Sequence, residues 1–258
     1  MKKFAFAITL LILMVSCKKE HKEKTEAHAQ KFETEQVVRD ASNIASCKDK
    51  DCPDIDLVYT RVKEDSNFGQ RINQNNEKEL IQILHLAEDQ PLAQSVDQAL
   101  DEFVEEYFKF KKIDSLTHTS YEAQIEQSIK SQNDKTLVFK TSYYIYTGGA
   151  HGYGAVLFSN YDAQTGKLLQ KKDLIDDLPS FKDFVEEKFR LQYQIPETAN
   201  INSKGFFFDD DQFVLPENIA VTDKEVILVY NPYEVASYAE GQLRFVFPKE
   251  SVEKWLKY

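Results

Sequence analysis

The chain has 258 residues, with 43 acidic against 32 basic side chains and a net charge of −11. That balance lacks the Lys/Arg patches that nucleic-acid phosphates require, so nucleic acid is excluded as a partner class. Three cysteines and no internal repeat argue against a disulfide-dense scaffold or a solenoid.

The N-terminus combines Lys2 and Lys3 with an apolar run from Phe4 to Val15, broken only by Thr9. Twelve residues are short for a bilayer anchor but suit the central region of an export signal. The run ends at Met14-Val15-Ser16-Cys17, which resembles a lipobox, with Met14 where leucine is more usual. That resemblance implies removal of residues 1–16 and lipidation of Cys17. Loss of Lys2 and Lys3 takes the net charge to −13. Two or more acyl chains hold a protein firmly on a membrane, so the expected location is the cell envelope, periplasm-facing or at the cell surface. Residues 17–45 are highly charged and poor in apolar side chains, and they read as a tether.

Cys47 and Cys52 are spaced for a small disulfide loop in an oxidising compartment. No CxxC or HxxxH partner completes a zinc site, and Asp49, Asp51, Asp54 and Asp56 lack the glycine and glutamate of a calcium loop. Neither metal nor cofactor is expected. Next, IDLVYTRV from Ile55 reads as the first strand. Leu80, Ile81, Leu84 and His85 predict a helix over 75–86, with His85 packed among apolar neighbours. Pro91 suits the first turn of a second helix, whose stripe is Leu92, Val96, Leu100, Phe103, Val104, Tyr107 and Phe108.

Strands follow. Tyr121, Ala123 and Ile125 alternate with polar residues, and 137–146 is a second strand. A pair from Gly154 to Leu169 is joined by a turn at Ala163–Gly166. Phe181, Phe184, Val185, Phe189 and Tyr193 predict a helix over 180–193. EVILVYNPY and GQLRFVFP then read as paired strands, and Pro248 opens a last helix. Early helices followed by antiparallel strands give an α+β fold, with antiparallel sheet or sheets and helices on one side. Two lobes are possible, 46–115 and 116–258, with the boundary near Lys112–His118.

The segment YIYTGGAHGYG, Tyr144–Gly154, concentrates four glycines around His151. Glycine permits positive φ, so the loop reads first as a turn fixed by His151, then as a ligand contact. A catalytic His151 would need a nucleophile and an orienting acid; Ser142, Ser159, Asp162 and Asp173 are available, but no spacing singles one out. No catalytic residue is assigned. FFFDDDQF, Phe206–Phe213, reads as a wet turn between aromatic anchors.

Two stretches carry a family resemblance: YTGGAHGYG with NYDAQTGKLL, and Phe213–Pro248 with its YEVASYAEG. They resemble the extracytoplasmic domain shared by RsiV-like anti-sigma factors and certain polysaccharide deacetylases. Ser237 stands where a proline is expected. The preceding half resembles that family's companion domain. Because the chain shows neither a sigma-binding segment nor a metal-binding deacetylase domain, the resemblance implies the ligand-facing accessory part alone. It implies a non-catalytic binding module for a lysozyme-like cationic protein or for peptidoglycan. The candidate contacts are Tyr144, Tyr146, Gly148, Gly149, His151, Tyr153, Tyr233 and Tyr238. The alternatives are a glycan hydrolase or deacetylase using His151, and a structural envelope lipoprotein.

Overall fold

The computed structural model describes residues 32–48, 50–63, 66–87, 89–113 and 120–258. The signal, Cys17 and most of the tether lie outside the described residues, as does most of the expected lobe boundary.

The first strand is not at Ile55 but earlier. Thr34–Asp40 forms β1, inside the stretch read as a tether, and pairs antiparallel with β2, Asp54–Val62. A charged edge strand needs backbone partners rather than a buried face, which is why hydrophobic patterning does not reveal it. Cys47 and Cys52, between these strands, form a disulfide with Cα atoms 5.6 Å apart. Closing so short a loop removes about 2 kcal/mol of unfolded-chain entropy. Reduction with dithiothreitol should therefore lower the urea-unfolding free energy by about 2 kcal/mol, and the C47S/C52S variant should match it.

Helix α1 spans Asn67–Leu84, starting eight residues before the expected Asn75 because Ser66 caps it, its hydroxyl accepting from the Gly69 N–H. His85 is already extended and half-buried. The second helix, α2, begins at Val96 rather than Pro91. There the Ser95 hydroxyl accepts from the Gln98 N–H at 3.1 Å, so the cap and not the proline sets the start. α2 continues to Ile113.

β3 (Glu122–Gln132) returns parallel to β2, and β4 (Thr136–Tyr146) and β5 (Tyr153–Asp162) follow antiparallel. With β6 (Leu168–Leu169) they complete a six-stranded sheet in sequence order. The β2–β3 pairing joins the two expected lobes through one sheet. α1 and α2 cover one face: Leu80, Leu84, Leu100, Phe103 and Tyr107 pack with Leu57, Tyr59, Ala123 and Ile125.

After the short α3 (Lys171–Leu174), α4 (Leu178–Gln192) leads through loops to a second sheet of β7 (Ile219–Val221), β8 (Glu225–Tyr230) and β9 (Leu243–Pro248). α5 (Lys249–Val252) and a 3-10 turn end the chain. β8 is apolar on both faces because each has a partner. Ile227 and Val229 pack on Val138 of the large sheet, whereas Val226, Leu228 and Tyr230 join the aromatic core around Phe189 of α4. The fold is α+β, as its element pattern predicts. Among the described residues, no helix is long and apolar enough to cross a membrane.

Candidate functional site

β4 and β5 form a hairpin whose tip is the glycine-rich segment. Gly148 and Gly149 hold φ of 101° and 88°, which a side chain would resist. The Tyr146 hydroxyl donates to the Gly149 carbonyl at 3.0 Å and pins the turn. Gly152 serves differently. A Cβ there would stand 2.5 Å from Tyr144 Cζ and 2.7 Å from the Ile145 carbonyl oxygen, so it lets Tyr144 lie across the hairpin.

His151 is exposed. Its Nδ1 sits 2.9 Å from the Gly152 carbonyl, which only a protonated Nδ1 can satisfy, leaving Nε2 outward in the neutral ring. The imidazole stacks on Tyr238, centroids 4.0 Å apart and planes 16° from parallel, and Tyr238 lies 5.7 Å from Tyr233. The possible catalytic partners are elsewhere. The Ser159 hydroxyl donates to Glu79, Asp162 caps the turn at Thr165, and the Asp173 carboxylate accepts from the Gln170 N–H. Ser142 faces the open side of the large sheet. Among the described residues no carboxylate is paired with His151, and Ser142, Ser159, Asp162 and Asp173 do not assemble a triad with it.

Strand alternation divides the tyrosines. Tyr144 and Tyr146 pair with Gln124 and Glu122 on the face away from α1 and α2. Tyr143 and Ile145 point the other way and pack partly against the helical core. Tyr143 meets Tyr153 at 6.1 Å, and the Tyr153 hydroxyl donates to the Pro232 carbonyl. These rings line an open cleft of about 350 Å³ with Gln82 and Ile83 of α1, Thr147, Gly148, His151, Gly152 and Tyr233. Gln82, Ile83, Thr147 and Tyr143 were not among the candidate residues. Only the position of the α1 end brings Gln82 and Ile83 there, and no local pattern marks it.

Burial raises the Tyr143 hydroxyl to about 12, helped by the neighbouring Tyr153 and the carboxylates of Glu79 and Glu234. Tyr153 is raised for the same reasons, burial and Glu234. Both remain protonated donors at neutral pH. Tyr233 is 54% exposed and has φ of 69°, an unusual conformation for an aromatic residue, costing on the order of 1 kcal/mol. Its N–H donates to the Ala236 carbonyl, and the Glu234 N–H donates to the Asn231 carbonyl, so a tight turn holds the ring outward.

Asn231 anchors that turn to the hairpin. Its Oδ1 accepts from the Val156 N–H at 2.9 Å and its Nδ2 donates to the Val156 carbonyl at 3.0 Å. Asn218 treats Phe158 N–H and the same Val156 carbonyl alike, and Asn160 grips the Ile219 carbonyl and Val221 N–H of β7. β5 pairs with β6 only at Asn160 and Tyr161. Side-chain amides therefore replace a neighbouring strand along its remaining edge and bind the two sheets together.

Residues 46–153 match the model of a family described as Deacetylase PdaC, and residues 167–250 match that of a protein of unknown function, DUF3298. The chain is similar to two families in tandem. A DUF3298 family protein from Pseudomonas aeruginosa PAO1 shares the fold at 18% identity, with a TM-score of 0.64 over 89% of this chain and 96% of that one. A DUF3298 family member from Bacteroides fragilis NCTC 9343 does so at 21% identity and a TM-score of 0.64, covering 88% and 94%. No curated protein matches the sequence.

The PdaC span crosses 112–118 without interruption and takes in the glycine-rich loop as far as Tyr153. The DUF3298 span supplies Tyr233 and Tyr238. The His151–Tyr238 stack therefore joins the two spans, and the cleft lies where they meet.

Proposed function

We propose that the protein is a non-catalytic binding module of a bacterial cell envelope, lipid-anchored through Cys17, that engages the cell wall through the cleft beside the glycine-rich loop. The cleft itself carries the reading: aromatic rings line it, and a left-handed Tyr233 is held at its rim. Similarity to the PdaC model supports a cell-wall-related role. Co-sedimentation with purified peptidoglycan sacculi tests it. The wild-type protein should pellet and Tyr233→Ala should remain largely in the supernatant. Equal pelleting of the variant would remove the cleft from the mechanism. The anchor is tested by metabolic palmitate labelling, which Cys17→Ser should abolish.

A lysozyme-like cationic protein is a second reading, favoured by the open face of the large sheet. That face carries Asp40, Asp54, Asp56, Glu122 and Glu126, with Tyr144 and Tyr146 alongside. Asp40 stands directly opposite Asp56, and Asp54 opposite Glu122. Like charges so placed destabilise a sheet, and a cationic partner would relieve them. Calorimetric titration with lysozyme should show binding that weakens with salt and is lost in Asp56→Asn/Glu126→Gln.

A further inference from the structure

We propose that the outer edge of β1 is an interface with a second copy of this chain. The second copy adds its own β1 antiparallel and continues the large sheet across a two-fold axis. This interface is independent of the cleft.

The backbone fixes which groups are available. The Lys63 N–H donates to the Glu33 carbonyl at 2.9 Å, so residues 33 and 63 form a hydrogen-bonded pair at the end of the β1–β2 ladder. Such pairs alternate along an antiparallel ladder, so Glu35, Val37 and Arg39 turn their N–H and C=O groups toward β2. Those of Thr34, Gln36, Val38 and Asp40 point outward. Two contacts agree with this phase: the Val38 carbonyl accepts from Arg39 Nη1, and the Asp40 N–H donates to Asn43 Oδ1. Among the described residues, no strand pairs with this outer edge.

The large sheet treats its edges differently. On β5 the side-chain amides of Asn218 and Asn231 occupy the strand edge. β1 carries none of the usual obstacles: TEQVVRD contains no proline or lysine, and its register with β2 has no bulge. Thr34, Glu35, Gln36, Val38 and Asp40 are all exposed.

Charge selects the occupant and the register. Glu35 and Arg39 lie on the helix-covered face of β1, with Val37 between them packed toward the core. Pairing Gln36 with Val38 of a second copy sets Glu35 directly opposite Arg39, and Val37 opposite itself. A shift of two residues either way places Glu35 or Arg39 against Val37 instead. Both charges have capacity to spare. Arg39 Nε bonds Asp97 at 2.7 Å and Nη1 bonds the Val38 carbonyl, so Nη2 is used by neither. Glu35 stands opposite Arg61, but Arg61 pairs with Glu77 at 3.5 Å. The row Glu77, Arg61, Glu35, then Arg39 and Asp97 of the second copy, alternates in sign throughout. Opposite charges that face each other stabilise antiparallel strands, and the two-fold axis makes each contact twice. On the other face Val38, 52% exposed, lies diagonal to its counterpart and gains apolar cover.

Sedimentation velocity of the detergent-solubilised full chain should show a dimer whose share grows with protein concentration. Glu35→Lys, at an exposed position, should raise the dimer dissociation constant at least ~10-fold without lowering the melting temperature, because it sets like charges opposite each other on both sides of the axis. Mixing that variant with Arg39→Glu should restore association, since each strand then faces its opposite charge. Register is read by cross-linking. Val37→Cys should form an intermolecular disulfide on mild oxidation, because facing residues outside the hydrogen-bonded pairs have Cα atoms about 4.5 Å apart. Gln36→Cys is more exposed but lies diagonal to its counterpart, so it should cross-link at least ~10-fold less, and the unaltered chain not at all. A monomer at every concentration would overturn the proposal, and so would equal cross-linking at both cysteines. Slow amide exchange at Gln36 and Val38 in such a monomer would give the edge to the chain's own N-terminal stretch rather than to a second copy.

Discussion

Asn231→Ala should destabilise the protein by about 3 kcal/mol, a larger loss than most single substitutions bring. Asn231 is buried at 4% exposure. Its side chain satisfies the Val156 N–H and accepts from Gln242 Nε2 at 3.0 Å. Alanine would leave the Val156 N–H on an unpaired strand edge, and a buried orphan donor costs about 1–3 kcal/mol by itself. The lost Val156 carbonyl contact adds less, because Asn218 still donates to that oxygen at 2.6 Å. The two asparagines should therefore couple. Urea denaturation of Asn218→Ala, Asn231→Ala and the double variant should give non-additive losses, since they share one carbonyl. Additive losses would show that the amides act independently and do not form one substitute strand. Because Asn231 also sets the turn carrying Tyr233, Asn231→Ala should weaken sacculus binding as well.

Gly152→Ala should cost about 2–3 kcal/mol, although Gly152 has no positive φ to explain it. The added Cβ meets the Tyr144 ring end at 2.5 Å and the Ile145 carbonyl at 2.7 Å. The ring could swing away, but the carbonyl belongs to the β4 backbone and can yield only by distorting the hairpin. Thermal unfolding should register the loss at roughly 2–4 °C per kcal/mol. Gly152→Ala combined with Tyr144→Ala should recover the part due to the ring and retain the part due to the carbonyl. Full recovery would mean that the backbone contact is relieved without cost. Gly149→Ala is the contrast: nothing lies within 4 Å of its added Cβ, so its cost is conformational alone, about 1 kcal/mol.

The sequence pattern carried much of the fold. β4, β5 and the β8–β9 pair appear where alternation and apolar runs place them, because buried strands declare themselves in composition. α4 likewise begins within two residues of expectation, its stripe of Phe181, Val185 and Phe189 buried in the aromatic core. Element starts set by a single hydroxyl were harder to read. Ser66 and Ser95 fix α1 and α2, and a proline was the more conspicuous but wrong marker. β1 was not legible at all, since an edge strand is recruited by β2's backbone and not by its own side chains.

The candidate site was legible in part. The glycine loop stood out because Gly148 and Gly149 need positive φ and Gly152 needs an absent side chain, and both requirements are written in residue identity. The sequence alone determined that this loop is exceptional, that the chain is acidic and that buried strands surround it. Only the tertiary structure decided which residues face it. Strand parity turns Tyr143 into the cleft and Tyr144 out of it, the length of α1 delivers Gln82 and Ile83, and three asparagines acting as strand edges bring Tyr233 and Tyr238 to His151. The asparagine contacts join positions 59 to 75 residues apart, and a local pattern holds no record of such distances.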